Sequence, residues 1–191
     1  TLHCFIIYML FKETNLKGNF VIDLNINEDK RGFFARYFCK KEFSDYGLNT
    51  EWAQINNIFS KELGTLRGLH FQQAPKAEVK LVRCLKGSVL DVALDLRKDS
   101  KTYGCFETTV LSQENKNQLF IPKGFAHGFV VLSETAIFSY KVDNHYNSDS
   151  ESGILWNDPD LKIDWKTPKD EIIISEKDKK LSTFNNFVSP F

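Results

Sequence analysis

Arg67-Gly68-Leu69-His70-Phe71-Gln72 is the stretch on which the reading of this chain turns. One histidine sits in the middle of an apolar run, with an arginine three residues before it. A second stretch, Ile121-Pro122-Lys123-Gly124-Phe125-Ala126-His127-Gly128-Phe129, also reads as a strand end that leads to a histidine. Two strands that each aim a histidine into one concave interior predict a small-ligand pocket inside a β-barrel. The rest of the chain then reads as the container.

The strands around these two support that container. Residues 52–59 alternate, with Gln54 and Asn56 on one face and Ala53 and Ile55 on the other. Residues 61–64 read as a hairpin turn, from which 65–72 returns. Residues 79–85 form a strand on which Lys80 faces opposite to Leu81. In residues 88–97, Val89, Asp91, Ala93 and Asp95 fall on one side and Leu90, Val92, Leu94 and Leu96 on the other. Further strands are expected at 18–24, 105–111, 117–121, 128–132 and 136–142, with a charged turn at 28–32 and a short helix at 40–46 closed by Gly47. Strands at roughly ten-residue spacing favour a sandwich or barrel. No long helix is expected before residue 150, and the polar tail 158–182 reads as a covering segment. The fold class predicted is all-β, a jelly-roll barrel of the cupin kind with short peripheral helices.

Bulk composition sets the outer limits. The chain of 191 residues fits one domain. Apolar residues make up 42% and charged residues 26%, the range of a globular protein with one core. Lys+Arg 25 balances Asp+Glu 25, so net charge supports neither a nucleic-acid nor an anionic-membrane partner. Cys4, Cys39, Cys84 and Cys105 are scattered and contain no Cys-x-x-Cys pair, so neither a zinc site nor a disulfide framework is indicated. Reduced thiols suit a cytoplasmic location. The apolar stretch 2–11 is too short to span a bilayer and lacks the features of a signal peptide. Met9 is the only methionine and reads as an initiator, so residues 9–191 are taken as the domain and 1–8 as an N-terminal extension.

The pocket residues carry the functional reading. A satisfied core histidine is the competing account of His70. Against it, Arg67, Lys80 and His127 converge on the same interior, and that much positive charge calls for an anion, with a diphosphate the natural one. Tyr140 lies on a late strand with a hydroxyl able to act as an acid, and Asp178 could orient a histidine. A metal is not expected. His70 is followed two residues later, on the same face, by Gln72 rather than a second histidine, and Lys80 occupies the region where a carboxylate ligand would sit.

At this point the chain resembles the dTDP-4-dehydrorhamnose 3,5-epimerase family of nucleotide-sugar epimerases. The matching motifs are Arg31-Gly32-Phe33-Phe34, Leu66-Arg67-Gly68-Leu69-His70-Phe71-Gln72, Lys80-Leu81-Val82-Arg83, Asp91-Val92-Ala93-Leu94-Asp95-Leu96-Arg97 and the stretch around His127. Tyr140-Lys141, Trp156-Asn157-Asp158 and Ser175-Glu176-Lys177-Asp178 follow in order. The resemblance implies a cupin without metal or cofactor, active as a homodimer on a nucleoside diphosphate 4-keto-6-deoxy sugar. It implies that His70 is the base, held by Asp178, and that Tyr140 is the acid on the opposite face of the ring. It assigns substrate contacts to Arg31, Gln54, Asn56, Arg67, Lys80, His127, Glu151 and Lys177, and stacking on the nucleobase to Tyr146. An imidazole, whose ordinary pKa is ~6.5, suits proton abstraction beside a ketone at neutral pH. Lys80 would steady the enolate oxygen.

The chain departs from the family pattern at Arg36, where a glutamate is usual, and by one extra residue between Gln54 and Arg67. Alternatives within the enzyme class are inversion at C3 alone, a different nucleotide, or a ketoisomerase. A non-catalytic sugar-binding cupin is the alternative outside it.

Overall fold

The computed structural model describes residues 8–191; the proposed extension at 1–8 falls almost wholly outside that range, as does Cys4. Period-2 alternation along nearly every segment produces two antiparallel sheets packed face to face. The first sheet has six strands: β1 (Leu10–Glu13), β2 (Phe20–Asp23), β5 (Gln54–Ser60), β7 (Lys80–Lys86), β10 (Gln118–Ile121) and β12 (Ala136–Val142). Their spatial order is β1-β2-β10-β7-β12-β5. The second has five: β6 (Leu66–Gln72), β8 (Ser88–Asp95), β9 (Phe106–Ser112), β11 (Phe125–Val131) and β13 (Glu151–Gly153), in the order β13-β6-β11-β8-β9. A separate hairpin pairs β3 (Ile26–Asp29) with β4 (Gly32–Ala35), and the helix α1 covers Lys40–Asp45. This is the jelly roll that the strand spacing predicts. No helix among the described residues is long and apolar enough to cross a membrane.

The core has a layer between the sheets and two outside them. Val82, Val89, Ala93, Leu119, Phe129 and Phe138 fill the space between the sheets. Leu90, Val92, Leu94, Leu96, Trp156 and Trp165 pack on the outer face of the five-stranded sheet, under the C-terminal segment. The two faces read from the alternation in β8 are therefore both buried, in different layers. The third layer holds Phe11, Ile22, Phe43, Leu81 and Phe120, where α1 lies against the six-stranded sheet.

Two expectations change. Residues 61–64 do not close a hairpin: β5 pairs with β12 in one sheet, whereas β6 pairs with β11 and β13 in the other. The turn is a corner between sheets. Gly64 permits it with φ +76°, and a Cβ there would stand 2.3 Å from the carbonyl oxygen of Glu171. The charged stretch 28–32 is partly strand, so that only Lys30 and Arg31 form the turn between β3 and β4. The corner matters for function, because it sets the inner faces of β5 and β6 on opposing walls.

Candidate active site

Opposing inner faces leave one cavity of about 760 Å³, and its lining includes most of the residues singled out above. The five-stranded sheet contributes Arg67 and His70 from β6 and His127 from β11. The six-stranded sheet contributes Gln54 and Asn56 from β5, Lys80 from β7 and Tyr140 from β12. Tyr146, Glu151, Lys177 and Asp178 complete it.

A local irregularity aims the two key side chains of β6. In strict alternation, residues 67 and 70 would point to opposite faces. In the ladder His127 pairs with His70, but Phe129 pairs with Arg67, so three residues of β6 answer two of β11. This bulge turns Arg67 and His70 to the same side. Gly68 occupies it with φ +115°, and a Cβ there would lie 2.6 Å from Gly128 Cα and 2.7 Å from the His127 carbonyl oxygen. The close approach of the strands thus requires glycine.

His70 meets its predicted partner. Its Nε2 lies 2.8 Å from Asp178 Oδ1, and the Gly68 amide donates to Asp178 Oδ2 at 3.3 Å. Asp178 opens a 3-10 turn at Asp178–Lys180, and its amide donates to Ser175 Oγ at 3.1 Å. Burial by itself would raise the Asp178 carboxyl; the bond to His70, that ring's charge and the Gly68 amide outweigh it and hold it below the usual aspartate value. The residue is therefore an anion fixed against one ring nitrogen of His70.

Tyr140 stands on the other wall. β12 pairs it with Asn56 on one side and Val82 on the other. Burial, reinforced by the negative charge of Glu78, raises its phenol above the ordinary value, despite the Asn56 hydrogen bond and the Arg67 charge. It thus holds its proton at neutral pH.

The electrostatics differ from the sequence reading in one respect. Lys80 is paired with Glu78, Nζ to Oε1 2.9 Å, and both are largely buried. His127 Nε2 lies 2.8 Å from Asp91 Oδ2, and Phe138 stacks beside the His127 ring at 6.0 Å. Two of the three converging cationic groups therefore have a carboxylate of their own, and Arg67 has no ion-pair partner among the described residues. Asp91 serves His127, and Asp95 binds Arg97 at 2.7 Å. At the mouth, Tyr146 Oη donates to Glu151 Oε2 at 2.7 Å and Lys177 Nζ donates to the same oxygen at 2.6 Å. Burial opposes ionisation of Glu151, but these two donors hold its pKa below the ordinary value, and the pair raises Lys177 in turn.

The family model described as dTDP-4-dehydrorhamnose 3,5-epimerase matches residues 13–186. The chain belongs to that epimerase family. A curated dTDP-4-dehydrorhamnose 3,5-epimerase from Methanothermobacter thermautotrophicus is 45% identical over 170 residues, covering 88% of this chain and 91% of the relative. The crystal structure of the enzyme of that name from Elizabethkingia anophelis superposes with a TM-score of 0.91 at 48% identity, covering 94% of this chain and 98% of that one. A structure from Legionella pneumophila, solved in complex with dTDP-4-keto-L-rhamnose, has a TM-score of 0.89 at 40% identity and covers 95% of both chains. The jelly roll is thus the fold of sugar isomerases in this epimerase family.

Of the twelve residues that the resemblance to the epimerase family marks, only Arg31 lies away from the cavity. It sits at the tip of the β3–β4 hairpin and forms an ion pair with Asp29. Arg36, read above as a departure from the family pattern, also lies outside the lining. Its Nη1 is 3.1 Å from Glu42 Oε1, and Glu42 Oε2 accepts the Met9 amide at 2.7 Å. The lining also includes Gln72, which enters the sequence reading only as an argument against a metal, and Glu78, which does not enter it. The i+2 spacing from His70 places Gln72 on the inner face; nothing in the sequence marks Glu78, which sits in a connection.

Proposed function

We propose that the protein inverts C3 and C5 of a dTDP-4-keto-6-deoxy-hexose. The observation that carries this is the His70–Asp178 pair on one wall of a single cavity with Tyr140 on the other. The C4 ketone acidifies the hydrogens on C3 and C5. The free ring nitrogen of His70 takes one of them, and the C–H electron pair moves onto the carbonyl oxygen as an enolate. Asp178 holds the ring and stabilises the imidazolium that forms. Lys80, oriented by Glu78, faces the developing oxyanion. Tyr140 gives its proton to the opposite face of the same carbon, the ketone re-forms, and the centre is inverted. Solvent then restores the proton on Tyr140 and removes the one on His70. Arg67, His127 and Lys177 serve the diphosphate, Gln54, Asn56 and Glu151 the remaining polar groups of the substrate, and Tyr146 the base.

The reading takes residues 9–191 as one catalytic domain of a cytoplasmic homodimer. Arg31 supports the dimer, because its substrate contact requires a second copy to present the β3–β4 hairpin. That hairpin exposes Phe33 and Phe34 at 51% and 59%, and the edge strand β5 exposes Ile55 and Phe59 at 66% and 57%. Such apolar exposure is what a subunit interface covers.

Proton NMR in heavy water with dTDP-4-keto-6-deoxyglucose tests the activity. The C3 and C5 signals should both disappear as deuterium enters. Loss at C3 alone would restrict the reaction to one centre, and a spectrum unchanged by the protein would leave only sugar binding.

A further inference from the structure

Gln72 is buried, 3% exposed, yet all of its amide is used. Its Oε1 accepts the Asn147 backbone amide at 2.6 Å. Its Nε2 faces three acceptors: the Lys76 carbonyl at 3.0 Å, Glu78 Oε2 at 3.1 Å and the His145 carbonyl at 3.3 Å. The amide orientation is fixed by these partners, since a flipped group would set a donor against the Asn147 N–H and an acceptor against three oxygens. The contacts with His145 and Asn147 straddle Tyr146, whose own amide donates to Gln54 Oε1 at 2.9 Å. The contact with Glu78 reaches the carboxylate that holds Lys80. One side chain therefore grips the segment that carries the aromatic ring at the mouth and the acid that aims the cation within.

We propose that Gln72 is a positioning residue that ties the nucleotide end of the site to its reaction end, by clamping the Tyr146 segment and orienting the Glu78–Lys80 pair. The proposal rests on reading the cavity as a nucleotide-sugar site. It gives the Gln72 position, where a second metal-binding histidine would be looked for in a jelly roll, a different task. Glutamine alone combines, at that length, an acceptor for one backbone amide with two N–H donors, which a carboxylate and two carbonyls share. Glutamate would meet the same oxygens with no hydrogens, and methionine would fill the space with no polar contact.

A double-mutant cycle tests the clamp, with dTDP binding measured by calorimetry on the full chain carrying Gln72→Met, Tyr146→Ala or both. Gln72→Met should weaken dTDP about tenfold, the scale of one or two lost hydrogen bonds. In the Tyr146→Ala background the same change should cost little more, because the ring it positions is gone. A residue that only supports the fold would weaken binding equally in both backgrounds, and that additive result overturns the proposal. Gln72→Leu provides a second route if the methionine variant does not fold, with the same expected non-additivity. The heavy-water exchange rate of either Gln72 variant should also fall, through Lys80, and a rate equal to the parent's overturns the link to the reaction end. Failure of the parent protein to bind dTDP overturns both the clamp and the functional reading; binding without exchange by the parent overturns the reading of catalysis and leaves the cycle to decide the clamp.

Discussion

His70 shows how much of the chemistry is carried by single contacts. An imidazole has two nitrogens, and a base needs one of them free toward the substrate. Asp178 occupies Nε2 and fixes the ring, and in the proposed mechanism the other nitrogen faces the ketone's neighbour carbon. Asp178→Asn keeps the shape but removes the charge, so exchange should slow by up to roughly 10⁴-fold, the scale of neutralising an aspartate that orients a catalytic histidine. The same change has a second signature. A carboxyl held below its ordinary value stabilises the folded state above the unfolded pKa of ~3.9, and this contribution is lost as pH falls through the lowered value. Denaturant titrations on the acid side should thus show the parent losing more stability than Asp178→Asn; parallel profiles would contradict the ionised pairing. Tyr140 works in the opposite direction. Its raised phenol should keep the acid form of the enzyme to a pH above the ordinary tyrosine value of ~10. Most of the residues that line the cavity are legible in the sequence, because period-2 alternation places them on inner strand faces, whereas their base and acid roles come from the resemblance to the epimerase family. The inward face of Gln72 is legible too, but its contacts and the part of Glu78 are not, because a connecting glutamate looks like a solvated group until the fold closes around it.

At the level of the strand, the bulge in β6 makes the site possible. It brings residues three apart to one face and needs a glycine where the backbone is pressed against Gly128. Gly68→Ala should destabilise the protein by at least ~2–3 kcal/mol through positive φ and steric overlap, as read by chemical denaturation. Exchange should fall as well, since Arg67 and His70 would lose their common aim. Stability within ~0.5 kcal/mol of the parent would contradict this account. The alternation in β8 and the inner face of β5 can be read directly from residue type. The bulge cannot, because one extra residue is invisible until its partner strand is known. The corner after β5 was hidden for a related reason: a turn in the sequence reports a change of direction and says nothing about which sheet receives the next strand.

For the whole molecule, the proposed dimer rests on Arg31, whose substrate contact, implied by the family resemblance, lies outside the cavity of its own chain. Arg31 sits on a hairpin away from its own cavity, among exposed aromatic residues. If a second copy presents it, a His70→Ala chain and an Arg31→Ala chain, each inactive alone, should recover activity when unfolded and refolded together. Each mixed dimer then contains one site with both residues intact. No recovery, with mixed dimers shown by mass to have formed, would place Arg31 outside the substrate site.

The central claim is that two groups on facing walls divide the proton traffic, and Tyr140→Phe separates them. In heavy water with dTDP-4-keto-6-deoxyglucose, that variant should still exchange hydrogen at C3 and C5 through His70 while its yield of inverted product drops much further. If exchange and inversion decline in step, Tyr140 does not supply the proton from the far side.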